Sequence, residues 1–220
     1  MDERGPYATL PRGRHHLSRD AVRTSQRGRM LLAMAESVAE KGYAQTSVAD
    51  VLKRSRVSRE TFYQHFSGKQ DCFLTVLDRS SLVLERFFEE ELSRDEGAWS
   101  CFDHALEIYL GTLAAEPTFA RVFFLESYAA GPEAQRKRFA VQERFVQSLL
   151  DNFADDPAWK RLPDPGFAAR MMVGAVSQLV ASELVHGRDR ELPTLREPVM
   201  RLLRGLVGDG ADPARSAASG

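Results

Sequence analysis

Between Thr46 and Lys69 the chain writes two short helices with too little sequence between them for anything but a tight turn. The stretch reads TSVADVLK, then RSR, then VSRETFYQHF, then SGK. Ser47 with Asp50 three residues later forms a capping box, which opens a helix running to about Arg54. Val48, Val51 and Leu52 give that helix one apolar face. Ser58 caps a second helix, in which Phe62 and Phe66, spaced i, i+4, turn inward together. Arg59, Thr61, Tyr63, Gln64 and His65 then fall on its outer side. Two short helices, a tight turn and a polar outer face on the second make a helix-turn-helix.

The chemistry of that outer face suits DNA. Arg59 lies in the first turn, within reach of base edges, and its guanidinium matches guanine bidentately. Thr61, Tyr63 and Lys69 offer donors to phosphate oxygens, contacts that fix register without reading sequence. The alternative is that Arg59 and Lys69 are solvated surface charges, the common state of such residues.

Val57-Ser58, Thr61-Phe62-Tyr63-Gln64-His65-Phe66 and Lys69 together resemble the DNA-binding signature of the tetracycline-repressor (TetR) family of bacterial regulators. The stretch from Gln26 to Thr46 resembles that family's first helix, ending at Gly42-Tyr43, and the likeness is specific over roughly Gln26 to Phe73. The resemblance implies roles at the DNA backbone or groove for Thr46, Arg59, Thr61, Tyr63, Gln64, His65 and Lys69. Phe62 and Phe66 match core positions of the motif. One departure is visible: the family usually carries Ala-Gly before Val57, where this chain has Ser55-Arg56. Arg56 must then adopt the left-handed conformation at some strain, or the turn takes another shape. Arg56 is equally available as an extra phosphate contact.

Charge is divided along the chain. The net formal charge is only −1. Residues 1–70 nevertheless carry 13 Lys and Arg against 7 Asp and Glu, and the remaining 150 carry 17 against 24. A basic N-terminal third on an acidic remainder fits a DNA-reading head on a separate body. Ahead of the first helix, Arg12 and Arg14 sit in a Pro- and Gly-punctuated stretch, either an arm entering a minor groove or a solvated, disordered tail. That stretch has no apolar core of the secretory kind. Ser18 is a candidate cap for an early start to the first helix, which runs through Met30, Leu31, Met34, Ala35 and Val38 to Gly42.

The rest reads as all-α. Ser67 with Gln70 forms a further capping box, opening a long helix with Phe73, Val76, Leu77, Leu84, Phe87 and Phe88 at helical spacing. Further helices are expected over 99–115, 117–128 and 133–153, punctuated by Gly131-Pro132 and Asp155-Asp156-Pro157. No alternating strand pattern and no internal repeat is present. The expected domains are a basic arm at 1–24, a three-helix DNA-binding domain at 25–70, a helical effector-binding and dimerisation domain at 71–208, and a disordered tail at 209–220.

Aromatic residues crowd the body, and Phe102, Tyr109, Phe123, Phe124, Tyr128 and Phe145 are candidates for lining a pocket for a small apolar effector. Ordinary core is the competing account of each. The segment 167–185 is nearly free of charge, with small residues that allow close helix approach, yet too interrupted for a convincing membrane span. A last helix, starting near Glu197, carries an apolar stripe. A helix apolar on more than one side is buried on more than one side, either as central core or against a second copy. In the resembling family this pair forms a four-helix dimer bundle. The interface candidates are Met171, Gly174, Val176, Val180, Leu184, Val199, Leu202, Leu203 and Leu206. A dimer places two recognition helices one DNA turn apart, roughly 34–36 Å, and predicts a palindromic site.

Catalytic patterns are missing. Cys72 and Cys101 stand alone, which fits a reduced cytoplasmic setting, and five histidines are scattered without zinc spacing. There is no P-loop or GxSxG, so no cofactor, metal or catalytic residue is expected. The sequence therefore points to a cytoplasmic, homodimeric, ligand-responsive regulator, most simply a repressor, binding double-stranded DNA. The rival from another class is an all-helical enzyme or adaptor with an incidental helix-turn-helix.

Overall fold

A computed structural model describes residues 19–92 and 97–207, with side chains omitted at 19–24, 83, 84, 86 and 87. Among the described residues every regular element is helical. The basic arm with Arg12, Arg14 and Ser18, and the C-terminal tail, lie outside them, as do the side chains of Leu84 and Phe87.

The chain divides into two compact units. The first holds the described residues up to Ser80 together with Arg121–Arg138. It contains α1 (Arg19–Gln45), α2 (Val48–Ser55), α3 (Arg59–His65) and the first half of α4 (Lys69–Leu92). To these it adds a π turn (Val122–Glu126), α7 (Ser127–Ala129) and the start of α8 (Pro132–Asn152). The second unit holds Ser81–Ala120 and the chain from Phe139 onward. Its elements are the rest of α4, α5 (Ala98–Ala115), most of α6 (Pro117–Arg121), the rest of α8, and α9 (Pro157–Lys160). They continue with α10 (Pro165–Val185), a 3₁₀ helix (Asp189–Leu195) and α11 (Arg196–Val207).

Within the first unit, Met30, Leu31, Met34 and Val38 of α1 are buried with Val51, Phe62, Phe73 and Leu77, the apolar positions expected at helical spacing. α1 does not end at Gly42: the helix breaks there, at φ 81 and ψ 157, and resumes for one turn. Such angles are open essentially to glycine alone. α4 opens differently from expectation too. Ser67 donates its N–H to Asp71 at 2.8 Å, while Gln70 donates to Glu133 of α8. A carboxylate is the stronger acceptor for an exposed N–H, and it draws Ser67 one residue further along.

The second unit is built round aromatic packing. Phe153 stacks on Trp159 at 4.7 Å, meets Trp99 edge to face and lies tilted against Phe102. Short α9, unforeseen in the sequence, starts because Asp156 accepts from Trp159 N–H and Pro157 follows the cap. Asp164 and Pro165 open α10 in the same way. α8 meets α4 where Arg144 grips the buried carboxylate of Glu85 through two bonds of 2.6 and 2.7 Å. α11 meets α5 through Arg196, 2.7 Å from both Asp103 and Glu107. That pairing holds the Asp103 carboxyl below the ordinary aspartate range.

Candidate nucleic-acid interface

The helix-turn-helix forms as its caps dictate. Ser47 accepts from Asp50 N–H while Asp50 accepts from Ser47 N–H at 2.8 Å, a reciprocal capping box. Lys41 reaches the same carboxylate at 2.7 Å. Hydrogen bonds from Lys41 first, then Ser47, hold the Asp50 carboxyl far below its usual range. Arg56 ends α2 in the left-handed conformation, φ 55 and ψ 42, the one described non-glycine residue with positive φ. The Arg in place of glycine therefore keeps the turn geometry and bears the strain of it. Ser58 then caps α3 through Thr61 N–H at 3.0 Å. Phe62, fully buried, and Phe66 lie 5.5 Å apart and pin α3 to the unit, with the Arg27 guanidinium over the Phe66 ring.

With those two rings inward, α3 presents Arg59, Tyr63 and Gln64 to solvent, with Thr61 and His65 half-buried beside them. Tyr63 is 49% exposed and rests edge-on against Phe62, which leaves its hydroxyl outward on a rigid ring. Among the described residues Lys53, Arg56 and Arg59 are exposed and carry no ion pair, three cations spread from the end of α2 to the start of α3. Lys53 joins the expected residues, and its place one turn before Arg56 on the exposed side of α2 is the sequence signal for it. Arg54, in contrast, is tied to Glu36 and Glu40 of α1.

Two of the expected contact residues have partners within the chain. Thr46 is 2% exposed, and its hydroxyl donates to Gly42 C=O at 2.8 Å, so it supports the turn instead of facing DNA. Lys69 directs its ammonium to Tyr43 C=O at 3.0 Å, with the Tyr43 ring 4.1 Å away. Both are claimed by the break at Gly42, whose freed carbonyls need donors.

The six candidate effector residues do not form one cluster. Tyr109 and Phe145 pack together at 5.6 Å and both against Phe88, and Phe102 belongs to the group around Phe153. Phe123, Phe124 and Tyr128 lie in the first unit, the first two buried and the last half exposed. An open groove of about 840 Å³ in the second unit is lined instead by Asp103, Arg196, Glu197, Met200, Arg201 and Arg204, among others.

Of the nine interface candidates, Val180, Leu184, Val199 and Leu203 are buried in the second unit's own core, and this corrects the expectation for them. Both helices are apolar on several sides, and periodicity alone does not say which stripe faces inward. Met171, Gly174, Leu202 and Leu206 are exposed and Val176 is half-buried, and Phe167, Leu179 and Val185 add to the exposed apolar surface. α10 is long and apolar enough to cross a membrane, with 28% of its most apolar stretch buried.

No group of three or more metal-ligating side chains occurs among the described residues. Burial pushes the Cys72 thiol up to about 12, so it stays protonated and a poor nucleophile.

Residues 31–76 match the family model described as bacterial regulatory proteins, tetR family. The HTH-type transcriptional activator FasR of Mycolicibacterium smegmatis is 23% identical over 146 residues, covering 66% of this chain and 67% of that protein. The fatty acid degradation regulator FadR of Bacillus halodurans superposes with a TM-score of 0.72 at 21% identity, over 83% of this chain and 98% of that one. FadR of Bacillus subtilis, solved in complex with stearoyl-CoA, gives a TM-score of 0.69 at 21% identity, over 80% and 96%.

Proposed function

We propose that this chain, which belongs to the tetR family of bacterial regulatory proteins, acts in the cytoplasm as a homodimeric repressor that an apolar acyl effector releases from a palindromic operator. The set of exposed cations Lys53, Arg56 and Arg59 beside Tyr63 on the α3 face carries this reading. In the proposed contact Arg59 reads a guanine, while Thr61, Tyr63, Lys53 and Arg56 bind phosphates and Gln64 and His65 flank the groove. The exposed apolar side chains Phe167, Met171, Leu179, Leu202 and Leu206 support a second copy packing on α10 and α11.

The aromatic interior around Phe88, Tyr109 and Phe145 supports an effector with a long hydrocarbon portion. The stearoyl-CoA held by B. subtilis FadR suggests the class, a long-chain acyl-CoA. α4 is continuous from Lys69 to Leu92 and carries residues of both units, which supports it as the element whose course the effector changes. Release is then a population shift toward a form whose two heads no longer match successive major grooves.

Selection from random duplex DNA with the purified chain tests the reading, followed by titration of stearoyl-CoA into the complex. The expected outcome is a palindrome bound with steep salt dependence and displaced by the acyl-CoA. A folded protein that enriches no sequence at low salt would overturn it and favour the enzyme or adaptor alternative.

A further inference from the structure

We infer that Glu126 is a positioning residue for DNA reading: its carboxylate holds the turn from which α2 starts, although it lies more than fifty residues beyond the helix-turn-helix. The inference rests on the DNA-reading function proposed above.

The break in α1 at Gly42 interrupts the helical hydrogen-bond ladder and leaves nearby backbone groups in need of partners. Side chains supply them. Tyr43 N–H donates to Glu126 Oε2 at 2.7 Å. Gly42 C=O accepts from the Thr46 hydroxyl at 2.8 Å, and Tyr43 C=O accepts from Lys69 Nζ at 3.0 Å. Thr46 and Lys69 belong to the motif's own stretch of sequence. Glu126 alone comes from elsewhere, and an ionised acceptor makes the stronger kind of bond. The next residue after the turn, Ser47, caps α2, and the left-handed Arg56 after α2 sets α3. A change of the turn at Gly42-Tyr43 is therefore inherited by the recognition helix.

The way Glu126 is presented also points to a built contact. It closes the π turn Val122–Glu126, where one extra residue re-phases the helix and turns side chains that would otherwise point elsewhere. Val122, Phe123 and Phe124 are buried beneath it, and Ser127, fully buried, donates its hydroxyl back to Phe123 C=O at 2.7 Å. Approach to α1 is close: a Cβ added at Gly42 would meet Glu126 Oε2 at 3.4 Å. Arg121–Arg138 as a whole folds within the same unit as the DNA-reading helices. Its place is braced by Lys137 on Asp78 at 2.9 Å and by Arg138, whose guanidinium donates to the Tyr128 hydroxyl at 2.6 Å. A segment distant in sequence thus folds into the head's own unit and reaches its turn through the Glu126 hydrogen bond.

The test compares the full-length chain with Glu126→Ala and Glu126→Gln. It uses amide hydrogen exchange over residues 42–47 and affinity for the palindrome recovered by selection. Glu126→Ala should speed exchange at residue 43 at least about tenfold and weaken palindrome binding by a similar factor, a size in keeping with loss of one charge-assisted bond. Exchange in α5 should stay unchanged, showing that the fold persists. Glu126→Gln, which keeps an oxygen acceptor in place, should restore both readouts to within about threefold, as tuning of a single hydrogen bond requires. Wild-type exchange and affinity in Glu126→Ala would overturn the inference, and so would a Glu126→Gln as impaired as the alanine variant. A wild-type chain that selects no DNA would instead count against the DNA-reading function on which the inference rests.

Discussion

In the α2–α3 hairpin most capping side chains bond within four residues of themselves, whereas α10 and α11 add to local pairs such as Arg201 with Glu197 others whose partners lie far off in sequence. Ser47 pairs with Asp50, Ser55 with Val51 C=O and Ser58 with Thr61. Ser177 of α10, in contrast, is reached by Gln142, and Arg196 at the head of α11 reaches Asp103. A hairpin capped by local rules keeps its own shape, while its setting in the head rests on a few distant contacts, Glu126 on Tyr43 N–H among them. A body written by distant contacts can repack, which is what a ligand-responsive module needs.

The largest expected effects lie in the two cores. Phe62→Ala should cost about 3–5 kcal/mol and Leu184→Ala about 2–5 kcal/mol in denaturant unfolding, since both side chains are fully buried. Leu184→Ala should leave the oligomeric mass unchanged, while Leu202→Asp with Leu206→Asp should convert dimer to monomer in sedimentation. The opposite pattern would exchange the inward and outward faces assigned to α10 and α11. Gly42→Ala should cost about 1–3 kcal/mol, because its backbone angles are nearly closed to residues with a Cβ. A neutral result would mean that α1 does not break there.

Arg56→Gly should act in two directions. Relief of the left-handed strain should stabilise the head by up to about 1 kcal/mol once the entropy of glycine is set against it. Loss of the cation should weaken DNA binding equally for all sequences. A variant that binds as well as wild type would remove Arg56 from the phosphate contacts. The smallest effect concerns pH. The Asp50 carboxyl titrates lower in the fold than in the unfolded chain, chiefly through Lys41 and then Ser47. Its contribution is therefore present above the ordinary aspartate range near about 4 and is lost as pH falls through the depressed value. Asp50→Asn should lower the head's stability near neutral pH, where the carboxylate's contribution is present, and flatten the acid limb, so that variant and wild type converge at low pH.

The same contrast explains what could be read from the amino-acid sequence. The caps of α2 and α3, the inward pair Phe62 and Phe66, and the outward run from Arg59 to His65 all follow from spacings of three or four residues. The partners of Thr46 and Lys69, the Gly42 and Tyr43 carbonyls, are not legible in the sequence because they become available only once α1 breaks. Sequence shows that Gly42 permits a break but not that carbonyls there will claim a lysine 26 residues on. The π turn was equally illegible, since VFFLE reads as ordinary helix and the inserted residue depends on where Phe123 and Phe124 find burial. For Val180, Leu184, Val199 and Leu203 the apolar pattern was correct, and only the packed unit decides that they face its own core.

The most direct test of the central claim is the binding of wild type and Arg59→Ala to the selected palindrome and to each of its single-base-pair variants. If α3 reads the major groove through Arg59, the substitution should cost about 1–3 kcal/mol and abolish discrimination at one position in each half-site, leaving the others intact. Uniform weakening at every position, or an unchanged preference profile, would contradict that role and leave Arg59 as a phosphate contact or a bystander.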